Sequence, residues 1–272
     1  MAEGLLLVGC GKMGGALLEG WLKQGMDGAL IQVVEPHEEA RTRCRALGVA
    51  CHEDQTQLAK DFAPATLVFA VKPQAMDEVV PAYGALAQAG AVVMSIAAGR
   101  PIAYFVDKLG DGGEVAVVRV MPNTPAAVGR GISVLCANQA VKDEAKKVCS
   151  GLMEAVGEAS WIEDEALMDA VTAVSGSGPA YVFLLAECLG AAGEAVGLPA
   201  GLAQKLARAT IAGSGELLHL ASESPEELRQ NVTSPGGTTH AALQILMGED
   251  GLGPLMRQAV ARATQRSREL AG

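Results

Sequence analysis

The chain is 272 residues long, 50% hydrophobic and 19% charged, proportions that supply a substantial core and exclude a disordered chain. Its 21 Lys and Arg against 31 Asp and Glu leave a formal charge of -10, which repels phosphate backbones and anionic head groups and argues against nucleic-acid partners or a membrane surface. The longest apolar stretch, residues 85–98, is interrupted by Gln88, Gly90 and Ser95 and falls short of a membrane span, and the first residues lack a basic n-region, so a cytoplasmic location is expected.

Short apolar runs at residues 4–9, 31–35, 66–71, 91–96 and 115–121 alternate with helix-compatible spacing at 14–24, 38–47, 74–87 and 102–109. Pro73 and Pro101 stand near helix starts, where a missing N–H does no harm. This alternation predicts strand-helix-strand units and a doubly wound, largely parallel α/β sheet. Further strands are expected at 131–136 and 159–162, around a helix at 143–156. Beyond residue 162 the β-branched runs stop, and helical patterns at 165–174, 179–196, 199–221, 225–231, 239–247 and 254–270 follow. Two domains are therefore expected, an α/β domain over 1–162 and an all-α domain over 163–272. The Ala/Leu-rich helices of the second carry apolar residues on several faces, more than one copy can hide, so it is expected to form a homodimer.

Gly9-Cys10-Gly11-Lys12-Met13-Gly14 follows a predicted strand directly and opens a predicted helix. Such a G-x-G-x-x-G suits a dinucleotide: the first glycine permits the turn, the second lets a pyrophosphate approach backbone, and the third allows close helix-strand packing. Glu35, 21 residues beyond Gly14 at the end of the second strand, is placed to accept hydrogen bonds from ribose hydroxyls. A carboxylate there repels a 2′-phosphate and argues for NADH over NADPH, whereas His37 and Arg41 nearby offset that repulsion. Later strand ends carry Ala70-Val71-Lys72-Pro73-Gln74, Ser95-Ile96-Ala97-Ala98-Gly99 and Val120-Met121-Pro122-Asn123-Thr124-Pro125, which should line the nicotinamide half of the site.

In the helical part, Ser175-Gly176-Ser177-Gly178-Pro179-Ala180-Tyr181 and Asn231-Val232-Thr233-Ser234-Pro235-Gly236-Gly237-Thr238-Thr239-His240 each precede an apolar helix. Glycines and hydroxyls at a helix N-terminus can cap the helix or hold a small carboxylate without a basic side chain. The second segment is longer and richer in hydroxyls than a cap needs. The four histidines have no metal-ligand spacing, and the six cysteines contain no C-x-x-C pair, so neither a metal site nor a disulfide framework is expected.

Taken together, these segments resemble the pyrroline-5-carboxylate reductase family across essentially the whole chain. Residues 232–244 match the family's signature, and residues 70–74, 95–99, 119–125 and 175–181 look like its other hallmark segments in the same order. The resemblance implies a Rossmann domain followed by a helical dimerisation domain, dimers that in many members assemble into decamers, and reduction of a cyclic imine to L-proline by NADPH or NADH. It also implies that Thr239, or its neighbour Thr238, contacts the ring nitrogen, and that Ser234, Gly236, Gly237 and Thr238, with Ser177, hold the substrate. Gly9, Gly11, Lys12, Met13, Gly14, Glu35, Ala70, Val71, Lys72, Pro73, Ala97, Pro122 and Asn123 would then line the cofactor. Family members commonly carry small polar or basic residues after the second strand, so Glu35-Pro36-His37 departs from the NADPH habit.

Three rival readings exist. A 3-hydroxyacid dehydrogenase of similar architecture would need a Lys and an Asn where Val182 and Ala186 stand. A reductase acting on another cyclic imine would keep every motif. A dinucleotide sensor without turnover would need no substrate loop at 234–239.

Overall fold

A computed structural model describes residues 4–110 and 112–271; residues 1–3, part of the N-terminal reading above, lie outside the described residues. There are two compact units, one running to Gly176 and taking back the chain from Thr264 onward, the other spanning Ser177–Ala263.

In the first unit β1 (Leu5–Val8), β2 (Ile31–Val34), β3 (Ala50–His52), β4 (Thr66–Phe69), β5 (Val92–Ser95), β6 (Val117–Met121), β7 (Gly131–Ala137) and β8 (Gly157–Trp161) form one sheet in the order β3-β2-β1-β4-β5-β6-β7-β8. Pairing is parallel except between β6 and β7. A parallel crossover needs about a dozen residues or more, and the connection at 122–130 is too short for one, so β7 turns back on β6. The order reverses between β1 and β4, a switch point that opens a crevice at the carboxyl ends of both strands.

Strand β3 was not expected, because Ala50-Cys51-His52 has no β-branched residue; it forms where the left-handed Gly48 turns the chain back beside β2. The helices of this unit are α1 (Lys12–Lys23), α2 (Glu38–Ala46), α3 (Met76–Val79), α4 (Gly84–Gln88), α5 (Ile102–Gly110), α6 (Asp143–Glu154) and α7 (Met168–Val171). The single helix expected over 74–87 is broken instead by a 3-10 turn at Val80–Tyr83, where Pro81 has no N–H for the ladder.

Period-two alternation divides the core between the two faces. Leu5 and Leu7 pack with Leu17, Leu18 and Trp21 of α1 and Leu152 and Met153 of α6. Leu6 and Val8 point the other way, toward Met76, Phe105 and Leu109. The sheet ends at Trp161, next to the boundary expected at residue 162, but the compact unit continues to Gly176 because Met168 is buried in that second core.

The second unit holds α8 (Gly178–Ala195), α9 (Ala200–Leu220), α10 (Pro225–Asn231), α11 (Thr238–Leu246) and the start of α12 (Leu252–Ala271). A Cβ on Gly193 would stand 3.1 Å from the Ala203 Cβ, so α8 and α9 close together through small residues. No helix among the described residues is long and apolar enough to cross a membrane. The last turns of α12 belong to the sheet unit: Ser267 Oγ donates to Asp169 Oδ1 at 2.6 Å, and a Cβ on Gly99 would lie 3.6 Å from the Leu270 carbonyl oxygen.

Candidate active site

The β1–α1 turn sits at the switch point, with Gly9 N–H donating to the Val34 carbonyl and Ala70 N–H to the Val8 carbonyl, both at 2.8 Å. Gly9 has φ +91, a region that L side chains rarely adopt, and a Cβ there would meet Val71 Cγ1 at 2.8 Å. A Cβ on Gly14 would collide with the Gly9 carbonyl oxygen and lie 3.2 Å from the Ala70 Cβ. Around Gly11, by contrast, a Cβ would meet nothing within 4 Å. The turn is thus closed against the sheet at its first and third glycines and open at its second, where a pyrophosphate would approach. Helix geometry leaves the N–H groups of Lys12, Met13 and Gly14 without acceptors inside α1. Their positive dipole end suits a phosphate.

Glu35 is 4% exposed, and all of its polar groups are engaged. Its carboxylate accepts the Cys10 N–H at 2.7 Å on Oε2 and the His37 N–H at 3.0 Å on Oε1. Its own N–H donates to the His52 carbonyl at 2.9 Å. Its carbonyl accepts from Arg41 Nη1 at 2.9 Å. Each carboxylate oxygen keeps a further acceptor site for a ribose hydroxyl. Arg41, which sequence reasoning cast as a counterweight to Glu35, is tied to Glu38 instead, with Nε 2.9 Å and Nη2 2.6 Å from Oε2.

Beneath the turn, Cys44 Sγ lies 3.2 Å from Cys10 Sγ. Burial, then the neighbouring Cys44, pushes the Cys10 thiol far above its usual range and Cys51 up to about 12. These are neutral packing groups, and the six cysteines are all free.

The later strand ends differ in exposure. Ala97 and Pro122 are buried, Val71 and Pro73 half-buried, and Lys72 exposed. Ala97 N–H donates to Ser95 Oγ at 3.3 Å. Asn123 is buried and spends its Oδ1 on the Ile132 N–H at 3.0 Å, pinning β7 to the end of β6. A Cβ on Gly176 would collide with Met121 Cε, which brings Gly176 against this strand end. That contact falls in a π-helical turn at Thr172–Gly176, where Thr172 and Ser175 hydroxyls donate to carbonyls one turn earlier.

Two positions escaped sequence reasoning. Arg119, buried in β6, donates to Glu165 Oε1 at 2.9 Å, and the same oxygen accepts the Ile102 N–H at 2.8 Å. One carboxylate therefore ties α5, just after the Ala97 segment, to β6, the strand that leads into Asn123. The signal was an arginine within the apolar run Val117-Val118-Arg119-Val120-Met121.

In the helical unit, Ser177 is the half-buried N-cap of α8 and accepts the Ala180 N–H on its carbonyl at 3.0 Å. Ser234 and Gly237 close a turn, with Gly237 N–H donating to the Ser234 carbonyl at 3.0 Å around the left-handed Gly236. His240 Nδ1 accepts the Gly236 N–H at 3.1 Å. Thr238 and Thr239 begin α11 with their N–H groups free of intrahelical acceptors; Thr238 is exposed and Thr239 half-buried. No group of three or more His, Cys, Asp or Glu able to hold a metal ion occurs among the described residues.

Comparison with known proteins matches two families. One, described as pyrroline-5-carboxylate reductase dimerisation, covers residues 165–270, and the other, NADP oxidoreductase coenzyme F420-dependent, covers residues 5–99. A pyrroline-5-carboxylate reductase of Pseudomonas aeruginosa is 39% identical over 268 residues, 98% of this chain and 96% of its own. One from Synechocystis is 41% identical over 204 residues, 75% of this chain and 74% of its own. Among solved structures, a pyrroline-5-carboxylate reductase from Coxiella burnetii superposes with TM-score 0.93 at 31% identity, covering 100% of both chains. A pyrroline carboxylate reductase of Plasmodium falciparum, solved with NADP bound, gives TM-score 0.83 at 29% identity over 100% of this chain and 99% of its own. Since this relatedness runs through the sheet with its glycine turn and on through the helices with their hydroxyl loop, the chain belongs to the pyrroline-5-carboxylate reductase family.

Proposed function

We propose that the protein reduces the C=N bond of 1-pyrroline-5-carboxylate to give L-proline. The observation that carries this reading is the pairing, in one chain of that family, of a glycine turn shaped for pyrophosphate with an uncharged loop of hydroxyls and backbone amides at the start of α11. Bound NAD(P)H supplies the hydride. Gly11, Lys12, Met13 and Gly14 hold the pyrophosphate through backbone N–H groups, Gly9 lines the turn beneath it, and Glu35 accepts the ribose hydroxyls. Ala70, Val71, Lys72, Pro73, Ala97, Pro122 and Asn123 line the remainder.

The substrate carboxylate is held by Ser234, Gly236, Gly237 and Thr238, with Ser177 contributing from the start of α8. Thr239 hydrogen-bonds the ring nitrogen. A protonated imine already accepts hydride well, so the residues need only orient the ring, exclude water and hold the proton at nitrogen. A neutral threonine is sufficient for that.

NADH is the preferred donor in this reading, because Glu35 faces the ribose while Arg41 is committed to Glu38 and to carbonyls. Free thiols suit a reducing, cytoplasmic compartment. The assembly is a homodimer through the helical unit, and five such dimers would make the decamer. Light scattering distinguishes the two masses.

The test is the initial rate of NADH and of NADPH oxidation with pyrroline-5-carboxylate at matched concentrations. Turnover with NADH ahead is expected, and nucleotide binding without turnover would sink the reading. Thr239→Ala should lower kcat about tenfold, the loss of one hydrogen bond at the reacting centre, while cofactor Kd stays within twofold. If Thr238→Ala shows that loss instead, the nitrogen contact is one residue earlier.

A further inference from the structure

We propose that Arg41 is a positioning residue for cofactor choice: it locks Glu35 in the ribose-accepting pose and, through Glu38, is itself kept from receiving a 2′-phosphate. This rests on the NADH reading above and adds the element that enforces it. A guanidinium has five N–H donors. Four are committed here, Nε and Nη2 to Glu38 Oε2, and both hydrogens of Nη1 to the carbonyls of Glu35 at 2.9 Å and Pro36 at 2.6 Å. The fifth faces Glu53 Oε2 at 3.6 Å. The Arg41 side chain is 9% exposed, whereas Glu38 and Glu53 are each 61% exposed.

The consequence is geometric. The turn after β2 carries the discriminating carboxylate. Here one planar fork stitches Glu35, Pro36 and Glu38 together and leans on Glu53 beyond β3, while His52 holds the Glu35 N–H. The carboxylate is thereby preorganised against the Cys10 amide before any ribose arrives. A 2′-phosphate entering the same place meets Glu35, Glu38 and Glu53, and the nearest cation has spent its donors. Arg45 adds to this arrangement by pairing with Glu38 Oε1 at 2.8 Å, which holds Glu38 in place and ionised. Hydrogen bonds from Arg45, then from Arg41, keep the Glu38 carboxyl below its usual range.

Substitutions at two positions should move cofactor choice by opposite routes. Arg41→Met releases the turn, and KM for NADH should rise about tenfold with kcat within twofold, while KM for NADPH moves much less. Arg41→Lys should resemble Arg41→Met, because a point ammonium cannot span two carbonyls and a carboxylate. Glu38→Ala lies on the surface and leaves the sheet core untouched; freeing Nε and Nη2 should improve kcat/KM for NADPH about fivefold or more with NADH nearly unchanged.

The measurement is steady-state kinetics with both cofactors for the wild type, these variants and Glu35→Ser, each checked for a cooperative melt. Equal losses with both cofactors in Arg41→Met, wild-type selectivity in Arg41→Lys, or no NADPH gain in Glu38→Ala would each overturn the proposal. Should Arg41→Met fail to fold, Glu38→Ala and Arg41→Lys still decide it. Glu35→Ser separates the two levels: selectivity unchanged in that variant removes the NADH reading itself, whereas a shift there with none in the Arg41 and Glu38 variants removes only the role given to Arg41.

Discussion

The two units solve the burial problem in opposite ways. In the sheet unit every residue of β1 and β4 is buried, and a helix layer covers each face. In the helical unit α8 buries only Gly190, and α9 only Ala203 and Ala207, while Phe183, Leu184 and Leu185 stand 67%, 57% and 45% exposed. A sheet closed on both faces is complete as a single chain. The helical unit presents apolar surface well beyond what an isolated domain keeps in water, and a second copy is what the proposed dimer supplies. In the proposed reading the nucleotide is held by a unit that buries its core within one chain, and the substrate by helices whose apolar faces a second copy covers.

Phe183→Asp tests this contrast most severely. Each copy would lose about 2–3 kcal/mol of burial, so dissociation should increase about 1,000-fold, read as a monomer by light scattering with the sheet unit still binding NADH. An unchanged dimer would break the comparison. Gly14→Val attacks the closed unit instead, forcing a branched side chain against the Gly9 carbonyl oxygen. NADH affinity should fall up to about 100-fold, as overpacking of ~1–3 kcal/mol implies, with the oligomer mass intact. A simultaneous loss of the dimer would show that the units do not fold separately.

The smallest effect is titration. Burial holds the Cys149 thiol at about 12 against 9.0 for an ordinary one, so the folded chain keeps the proton that the unfolded chain releases. Its stabilising contribution is complete below pH 9 and is lost as pH rises toward 12. Tm should fall by a few degrees between pH 8 and 10, and less steeply in Cys149→Ala. Equal slopes for the two proteins would take Cys149 out of the account.

How much of this was legible in the sequence follows from how local each signal is. β1, the glycine turn and α1 announce themselves, because apolar period, glycine spacing and helix onset are all read within residues 4–24. β3 was silent since its placement comes from β2 beside it, and the break at Pro81 was overridden by helical spacing around it. Glu35 was visible by its distance from Gly14. The commitment of Arg41 to Glu38 was not, although the i, i+3 spacing allowed it, because the carbonyls that fix its orientation belong to a turn whose path no pattern specifies. The same holds for Arg119 and Glu165, 46 residues apart. The hydroxyl loop at 234–239 was legible as a helix start, whereas the brace from His240 Nδ1 to Gly236 is tertiary detail.

The return of α12 makes the helical unit an insertion within the contour of the sheet unit, not an appendage to it. A protease that nicks the chain once between Ser177 and Ala263 would therefore not release either unit. The C-terminal fragment would keep its last turns docked through Ser267 on Asp169, and the two pieces would travel together until denatured. Grafting this helical unit onto another sheet would require two junctions, at Gly176 and before Thr264, and a single-junction chimera would leave the sheet unit without its closing strap.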